Sequence, residues 1–146
     1  MTLHVVPGPE LTTTDLYALL RLRVDVFVVE QNCPYPELDG QDLLATTVHV
    51  WWQPDSTPLS CLRVLGTSGA LRRVGRVCTA LDARGSGLGG RLMAAALDIV
   101  GLDESVLDAQ LHAQSLYARH GYLPEGEPFE EDGIMHIRMR RPATAD

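Results

Sequence analysis

Lysine is absent from this chain of 146 residues, and all twelve basic residues are arginine. The absence excludes chemistry that needs a lysine amine, such as Schiff-base formation. It also excludes a phosphate-binding P-loop, because that motif requires a lysine after its last glycine. The net charge of −7 disfavours non-specific binding to nucleic acid, which depends on neutralising phosphates with basic side chains. We therefore expect no nucleic-acid partner.

Long apolar runs and paired cysteine motifs are missing as well. No segment approaches the roughly 20 apolar residues that a membrane-spanning helix needs. The first residues lack the basic and apolar regions of a secretory signal. The three cysteines, Cys33, Cys61 and Cys78, are odd in number and lack C-x-x-C spacing, which disfavours a disulfide framework or a zinc site. We expect a cytoplasmic protein with no membrane association and no bound metal.

The length of the chain predicts a single domain, which we place over residues 1–141, and we expect residues 142–146 to form a disordered tail. Helical spacing predicts helices at about 15–31, 87–100 and 112–120. Alternating or continuous apolar runs bounded by turn residues predict strands at 3–6, 45–52, 59–65, 71–81, 106–111, 123–129 and 134–139. This order predicts an α/β or α+β fold with helices packed on a mixed sheet.

A glycine-rich stretch, Arg84 to Arg91, lies between a predicted strand and a predicted helix. It contains four glycines within six residues. The start of a helix offers unpaired N–H groups and a partial positive charge, so it suits a phosphate group. Arg84 and Arg91 add positive charge on either side. The glycine spacing also fits the dinucleotide-binding pattern G-x-G-x-x-G, but that motif follows the first strand of its fold, whereas several strands precede this one.

Two motifs together resemble the GNAT family of N-acetyltransferases. The first is the R-x-x-G-x-G pattern of Arg84 to Gly89. The second is the downstream series Gln110, Ala113, Leu116-Tyr117 and Gly121-Tyr122, with glutamine and the last tyrosine standing where the family has asparagine and phenylalanine. The runs Leu22 to Tyr35 and Glu131 to Ile137 are similar to those of the ElaA-like branch of the family.

The resemblance implies direct transfer of an acetyl group from acetyl-CoA to a primary amine of a small molecule or peptide. It also implies a central mixed, mostly antiparallel sheet of six to seven strands flanked by helices. The alternative is a non-catalytic acyl-CoA-binding module that retains the fold. Tyr117 disfavours this alternative, because binding alone needs no proton donor at that position.

The resemblance also assigns roles to particular residues. Tyr117 corresponds to the general acid, which protonates the departing CoA thiolate. Backbone groups of the fourth strand pair with the pantetheine arm and polarise the thioester carbonyl. The glycine-rich stretch binds the pyrophosphate. The expected CoA-binding residues are Val77, Cys78, Thr79, Arg84, Gly85, Ser86, Gly87, Leu88, Gly89 and Gly90.

The proton acceptor and the acceptor substrate stay open at this level. The candidates for the base are Glu30, His49, His112 and His136, of which Glu30 and His136 are the preferred two. The acidic loop that follows the first helix is either a solvated surface loop or the rim of a pocket for a cationic amine, which it would steer electrostatically. In the second case Asp39 and Asp42 would contact the acceptor. We expect a monomer or a homodimer.

Overall fold

A seven-stranded mixed sheet forms the centre of the computed structural model, which describes residues 2–144. Its strands are β1 (Leu3–Pro7), β2 (Val48–Trp52), β3 (Ser60–Leu65), β4 (Arg72–Thr79), β5 (Ser105–Gln110), β6 (Leu123–Glu131) and β7 (Ile134–Arg141). Their spatial order is β1-β2-β3-β4-β5-β7-β6. Strands β4 and β5 run parallel, and the other neighbouring pairs run antiparallel. The predicted mixed, mostly antiparallel sheet is confirmed.

Three α-helices pack on this sheet: α1 (Thr13–Val24), α2 (Leu88–Val100) and α3 (Gln114–Ala118). Helix α1 begins where the Thr12 side chain accepts a hydrogen bond from the Asp15 N–H at 3.1 Å. The regular α-helix that was predicted to reach residue 31 ends at Val24, and the chain continues in π-helical turns over Asp25–Glu30. Four of the residues from 24 to 29 are valine, and β-branched residues have reduced helix propensity, which is consistent with the wider turns.

The hydrophobic core occupies both faces of the sheet, because successive side chains of a strand point to opposite sides. On one face Val50 and Leu62 pack in the cluster that contains α2 and α3. On the other face Trp51 and Cys61 pack beneath α1. Helix α1 thus covers β2, β3 and the end of β4, while the same face of β5 and β7 carries polar side chains. The uncovered part of this face is where the candidate site lies.

Within residues 2–144, no helix combines the length and apolar character that crossing a bilayer requires. The end of β7 is followed by residues without regular structure, and the Thr144 N–H donates a hydrogen bond to the Leu102 carbonyl at 3.0 Å. Of the tail predicted over 142–146, residues 145 and 146 lie outside the described part of the chain.

Candidate active site

A cleft of about 690 Å³ opens where β4 and β5 separate. The two strands share register at Arg72–Ser105 and Arg73–Val106. Beyond these pairs, the rest of β4 has no registered partner on β5 within residues 2–144. Parallel strands that separate in this way leave backbone N–H and C=O groups of β4 free to bond with another extended chain. The cleft therefore has the shape and the backbone chemistry for an elongated ligand.

The expected CoA-binding residues of β4, Val77, Cys78 and Thr79, all line this cleft. Cys78 and Thr79 are paired with β3 on one side, so that their other backbone edge faces the opening. Just before them, Arg76 adopts a left-handed conformation with φ of +52°, and the register between β3 and β4 shifts at this point. A bulge of this kind increases the local twist of a strand and re-aims the groups that follow it.

The glycine-rich stretch lies at the end of the same strand, as predicted. A single 3-10 turn, Leu81–Ala83, connects β4 to it, and the Ser86 hydroxyl donates to the Ala83 carbonyl at 2.8 Å. Gly87 is the N-cap of α2 with φ of +80°, a conformation that glycine adopts without steric cost. The first N–H groups of α2 have no partners within the helix, which makes its start a site for an anion. Arg84 and Gly89 line the cleft directly.

Tyr117, the expected general acid, extends from α3 into the cleft. Its side chain is almost completely buried. The hydroxyl has no hydrogen-bond partner within the described part of the chain, unlike that of Tyr122, which bonds to the Ser105 hydroxyl at 2.7 Å. Burial raises the pKa of Tyr117 to about 12, so the phenol stays protonated at neutral pH. A buried, protonated and unengaged hydroxyl in a cleft is suited to donating a proton.

Glu30, one of the expected bases, is bound to Arg84 across the cleft. The two carboxylate oxygens accept hydrogen bonds from Nη1 and Nη2 at 2.6 and 2.7 Å. These hydrogen bonds hold the pKa of Glu30 below its ordinary value. A carboxylate with a lowered pKa is a weaker proton acceptor, so Glu30 is not poised as a base while this ion pair lasts.

His136 lies on the opposite wall, on β7 next to the end of β5. Its ring stacks on Phe129 with centroids 5.9 Å apart. The Nδ1 atom lies 2.8 Å from the Ile134 carbonyl. A carbonyl oxygen can only accept, so Nδ1 is the donor and the neutral ring keeps a free lone pair on Nε2. The structure thus brings His136, Tyr117 and two residues of the glycine-rich stretch, Arg84 and Gly89, to one cleft. The other expected CoA-binding residues of the stretch, which are not among the residues that line the cleft, are Gly85, Ser86, Gly87, Leu88 and Gly90.

Of the other two histidine candidates, His112 lines the cleft and His49 does not. His49 is buried beneath α1, where Nε2 lies 2.8 Å from the Asp42 carbonyl. Burial lowers the pKa of His49 and keeps its ring neutral. Its position and its hydrogen bond indicate a structural role.

The acidic loop does not form the expected rim of carboxylates. Asp39 and Asp42 are absent from the residues that line the cleft. Asp42 is buried and accepts hydrogen bonds from Arg23 at 2.7 Å and from Arg63 at 3.0 Å. Asp39 accepts two hydrogen bonds from Arg63. The physical reason is charge pairing, since these carboxylates are neutralised by arginines of α1 and β3 and hold the loop against the sheet.

Several residues of the cleft were given no functional role by the sequence-based predictions. Gln31 and Gln110 exchange two amide hydrogen bonds of 3.3 Å across it. Arg73 and Asp108 are ion-paired on the neighbouring strands β4 and β5. Their positions alternate with core residues along each strand, which is a signal that places them on the uncovered face. The sequence alone did not show which strands pair with each other.

The sheet that splays at β4 and β5, with a glycine-rich turn leading into a helix, defines an acyltransferase fold. The family model for the acetyltransferase (GNAT) domain matches residues 41–142. The chain belongs to the GNAT acetyltransferase family. Within residues 2–144 no group of three or more His, Cys, Asp or Glu side chains is arranged to hold a metal ion.

Individual relatives place the chain in the ElaA-like branch. A UPF0039 protein of Mycobacterium tuberculosis is 48% identical over 139 residues, which are 92% of this chain and 89% of that protein. Protein ElaA of Escherichia coli is 41% identical over 138 residues, or 90% of each chain. The crystal structure of E. coli ElaA superposes with a TM-score of 0.89 over 97% of this chain and 99% of that chain, with 36% identity in the structural alignment.

A crystal structure of an acyl-CoA N-acyltransferase from Pseudomonas aeruginosa superposes with a TM-score of 0.88 and 43% identity. The superposition covers 95% of this chain and 97% of that chain. The resemblance predicted from the two motifs is therefore confirmed at the level of family, branch and fold.

Proposed function

We propose that this protein is an N-acetyltransferase that transfers the acetyl group of acetyl-CoA directly to a primary amine. The observation that carries the proposal is the meeting of two features in one cleft. The start of α2, with Arg84 beside it, supplies an anion site at one end. The unengaged phenol of Tyr117 supplies a proton donor farther in. A binding module would use the first feature and have no need of the second.

The residues present fit a CoA thioester. Unpaired N–H groups at the start of α2 suit its pyrophosphate, and the guanidinium of Arg84 adds positive charge there. The free backbone edge of Val77, Cys78 and Thr79 suits the amide groups of its pantetheine arm. The same edge provides N–H donors for a thioester carbonyl, on which negative charge develops during attack.

The acceptor amine must lose a proton to become nucleophilic. The Nε2 lone pair of His136 supports a role as the proton acceptor, directly or through a water molecule. The phenol of Tyr117 protonates the thiolate that leaves. The nitrogen of the acceptor loses two protons in all. His136 takes the one whose loss makes the amine nucleophilic. The second leaves the nitrogen after attack and restores, directly or through water, the proton that Tyr117 gives to sulfur.

The nature of the acceptor is part of the proposal. We infer that the acceptor is a small molecule or peptide that carries a primary amine. An elongated donor along β4 would fill one side of the cleft, so the acceptor would enter from the part of the sheet face that α1 leaves uncovered. Asp39 and Asp42 are occupied by arginines, so they are not proposed as contacts of the amine. Because acetyl-CoA is an intracellular metabolite, the proposed reaction belongs to the cytoplasm.

The test follows release of the CoA thiol from acetyl-CoA in the presence of a panel of primary amines. The panel should include polyamines, amino sugars, amino acids and short peptides with free N-termini. Thermal unfolding is followed with and without acetyl-CoA in parallel. Amine-dependent thiol release supports the proposal. Thermal stabilisation by acetyl-CoA without thiol release from any amine would instead indicate a non-catalytic acyl-CoA-binding module.

A further inference from the structure

An arginine binds an anion through either of two edges of its guanidinium group. In Arg84 both edges already form hydrogen bonds. The carboxylate of Glu30 takes the edge formed by Nη1 and Nη2, at 2.6 and 2.7 Å. On the other edge, Nε donates to the Thr79 carbonyl at 2.9 Å. Bidentate contact with a phosphate requires one complete edge of the guanidinium. Arg84 therefore has no complete edge free for a phosphate in this conformation.

The two hydrogen-bond partners of Arg84 differ in how easily an incoming anion can displace them. The Thr79 carbonyl is fixed, because Thr79 is the last residue of β4 and pairs with Ser60 of β3. Glu30 is the last residue of the π-helical segment, and its side chain is 35% exposed. Ion pairs at such exposed positions are weak and exchange readily with other ions. Glu30 is thus the partner that an incoming anion can replace.

We propose that Glu30 is an internal counter-anion of Arg84, which the pyrophosphate of an acyl-CoA displaces when it binds. The inference rests on the proposed function, in which Arg84 contacts that pyrophosphate. Glu30 then sets the affinity of the cleft for ligands that carry a pyrophosphate. It has no such effect on pantetheine, which has the same thiol arm and no phosphate. Glu30 is in this view a residue that tunes donor binding, which accounts for its place beside the glycine-rich stretch.

The experiment measures the dissociation constant of CoA by isothermal titration calorimetry for the wild-type protein and for Glu30→Gln at constant salt. Glutamine keeps the shape of the side chain and removes its charge. We expect Glu30→Gln to lower the dissociation constant of CoA about twofold to fivefold, the range that follows from the strength of an exposed ion pair. The affinity for pantetheine should not change. In an Arg84→Gln background, the gain from Glu30→Gln should vanish.

A matched control separates this local competition from a general effect of charge. Asp25 begins the same π-helical segment, is exposed and forms no ion pair within residues 2–144. Asp25→Asn removes the same charge and should leave the dissociation constant of CoA nearly unchanged. An equal gain from Asp25→Asn, a gain for pantetheine, or unchanged or weaker CoA binding in Glu30→Gln would overturn the inference. Failure of CoA to bind any of these proteins would contradict the proposed function itself.

Discussion

Arg23 and Glu37 form a buried ion pair, in which Nε and Oε2 lie 2.7 Å apart and each side chain is only 2% exposed. The same oxygen of Glu37 accepts a hydrogen bond from Nε of Arg76 at 2.7 Å. The Asp42 carboxylate binds a second edge of the Arg23 guanidinium, with Nη1 and Oδ1 2.7 Å apart. Through these bonds the loop between α1 and β2 is tied to the helix on one side and to the β4 bulge on the other. The cleft wall that contains Arg76 thus depends on charges buried beneath it.

Replacing Glu37 by glutamine should therefore destabilise the protein strongly. Removing one partner leaves the positive charges of Arg23 and Arg76 with less compensation in a site with little access to water. We expect the free energy of unfolding to fall by about 3 kcal/mol. Urea denaturation followed by circular dichroism measures this change. As a control, Glu125→Gln removes an exposed partner of Arg140 and should have no measurable effect, and equal losses in the two variants would contradict the prediction.

The stability of the protein should decrease in acid because of the same network. The hydrogen bonds from Arg63 lower the pKa of Asp39 below its ordinary value of 3.8. Burial opposes ionisation of Asp42 and is the largest single influence on it, but the hydrogen bonds and positive charges of Arg23 and Arg63 together outweigh it, and the pKa of Asp42 is lowered as well. A carboxyl whose pKa is lowered by folding contributes stability above its unfolded pKa and loses that stability as the pH falls through its folded pKa.

We therefore expect the melting temperature to vary little between about pH 8 and pH 7. It should decrease modestly below about pH 6.5, because the unfolded chain protonates His49 more readily than the folded protein, in which burial lowers its pKa. It should fall more steeply below about pH 4, where unfolded aspartates begin to take up protons. Differential scanning calorimetry across this range measures the effect. The variant Asp39→Asn should be less stable at pH 7 and should show a shallower decrease in acid, because one linked group has been removed. A parallel decrease in both proteins would indicate that Asp39 does not contribute.

Features set by local sequence were predicted, such as the turn of the glycine-rich stretch and the place of Tyr117 beyond β5. The ion pairs could not be predicted, because they join residues far apart in the chain. Arg84 and Glu30 are separated by 54 positions, and Arg63 and Asp39 by 24.

For the acidic loop this limit led to a wrong expectation. Glu37 and Asp42 fall in a segment rich in proline, glycine and charge, which favours an exposed loop. Their burial follows from the alternation along β3 and the bulge in β4, which aim Arg63 and Arg76 at the loop. The register of β3 against β4 sets the positions of Arg63 and Arg76, and Arg23 of α1 completes the arrangement. The steering of a cationic acceptor by Asp39 and Asp42 loses its physical basis once both carboxylates are paired.

Tyr117→Phe should reduce kcat about 100-fold, which is the lower range for loss of a positioned general acid. The affinity for acetyl-CoA and the melting temperature should stay nearly constant, because the hydroxyl has no protein partner among residues 2–144. The assay is CoA thiol release with an amine identified from the panel. Because the pKa of Tyr117 is about 12, this residue should cause no loss of rate on the alkaline side up to about pH 10.

Tyr122→Phe is the matched control for Tyr117→Phe, since both remove one buried hydroxyl. The Tyr122 hydroxyl bonds to Ser105 at 2.7 Å and does not line the cleft. Its removal should cost about 1 kcal/mol of stability and leave kcat unchanged. The two variants therefore have opposite expected effects on rate and stability. A full rate in Tyr117→Phe would remove Tyr117 from the mechanism.

Gly87→Ala tests whether the glycine-rich stretch needs its backbone conformation. Gly87 has φ of +80° and open space around the position of a Cβ, so the effect of alanine there is conformational and not a clash. We expect a loss of about 1 kcal/mol in stability and weaker binding of acetyl-CoA, because the start of α2 must shift to relieve the strain. Gly90→Ala, with equally open space but an ordinary helical conformation, should instead stabilise α2 by about 0.5 kcal/mol. Urea denaturation measures the stability of both variants, and isothermal titration calorimetry measures their binding of acetyl-CoA. Equal stability of the two variants would show that the left-handed turn at Gly87 is dispensable.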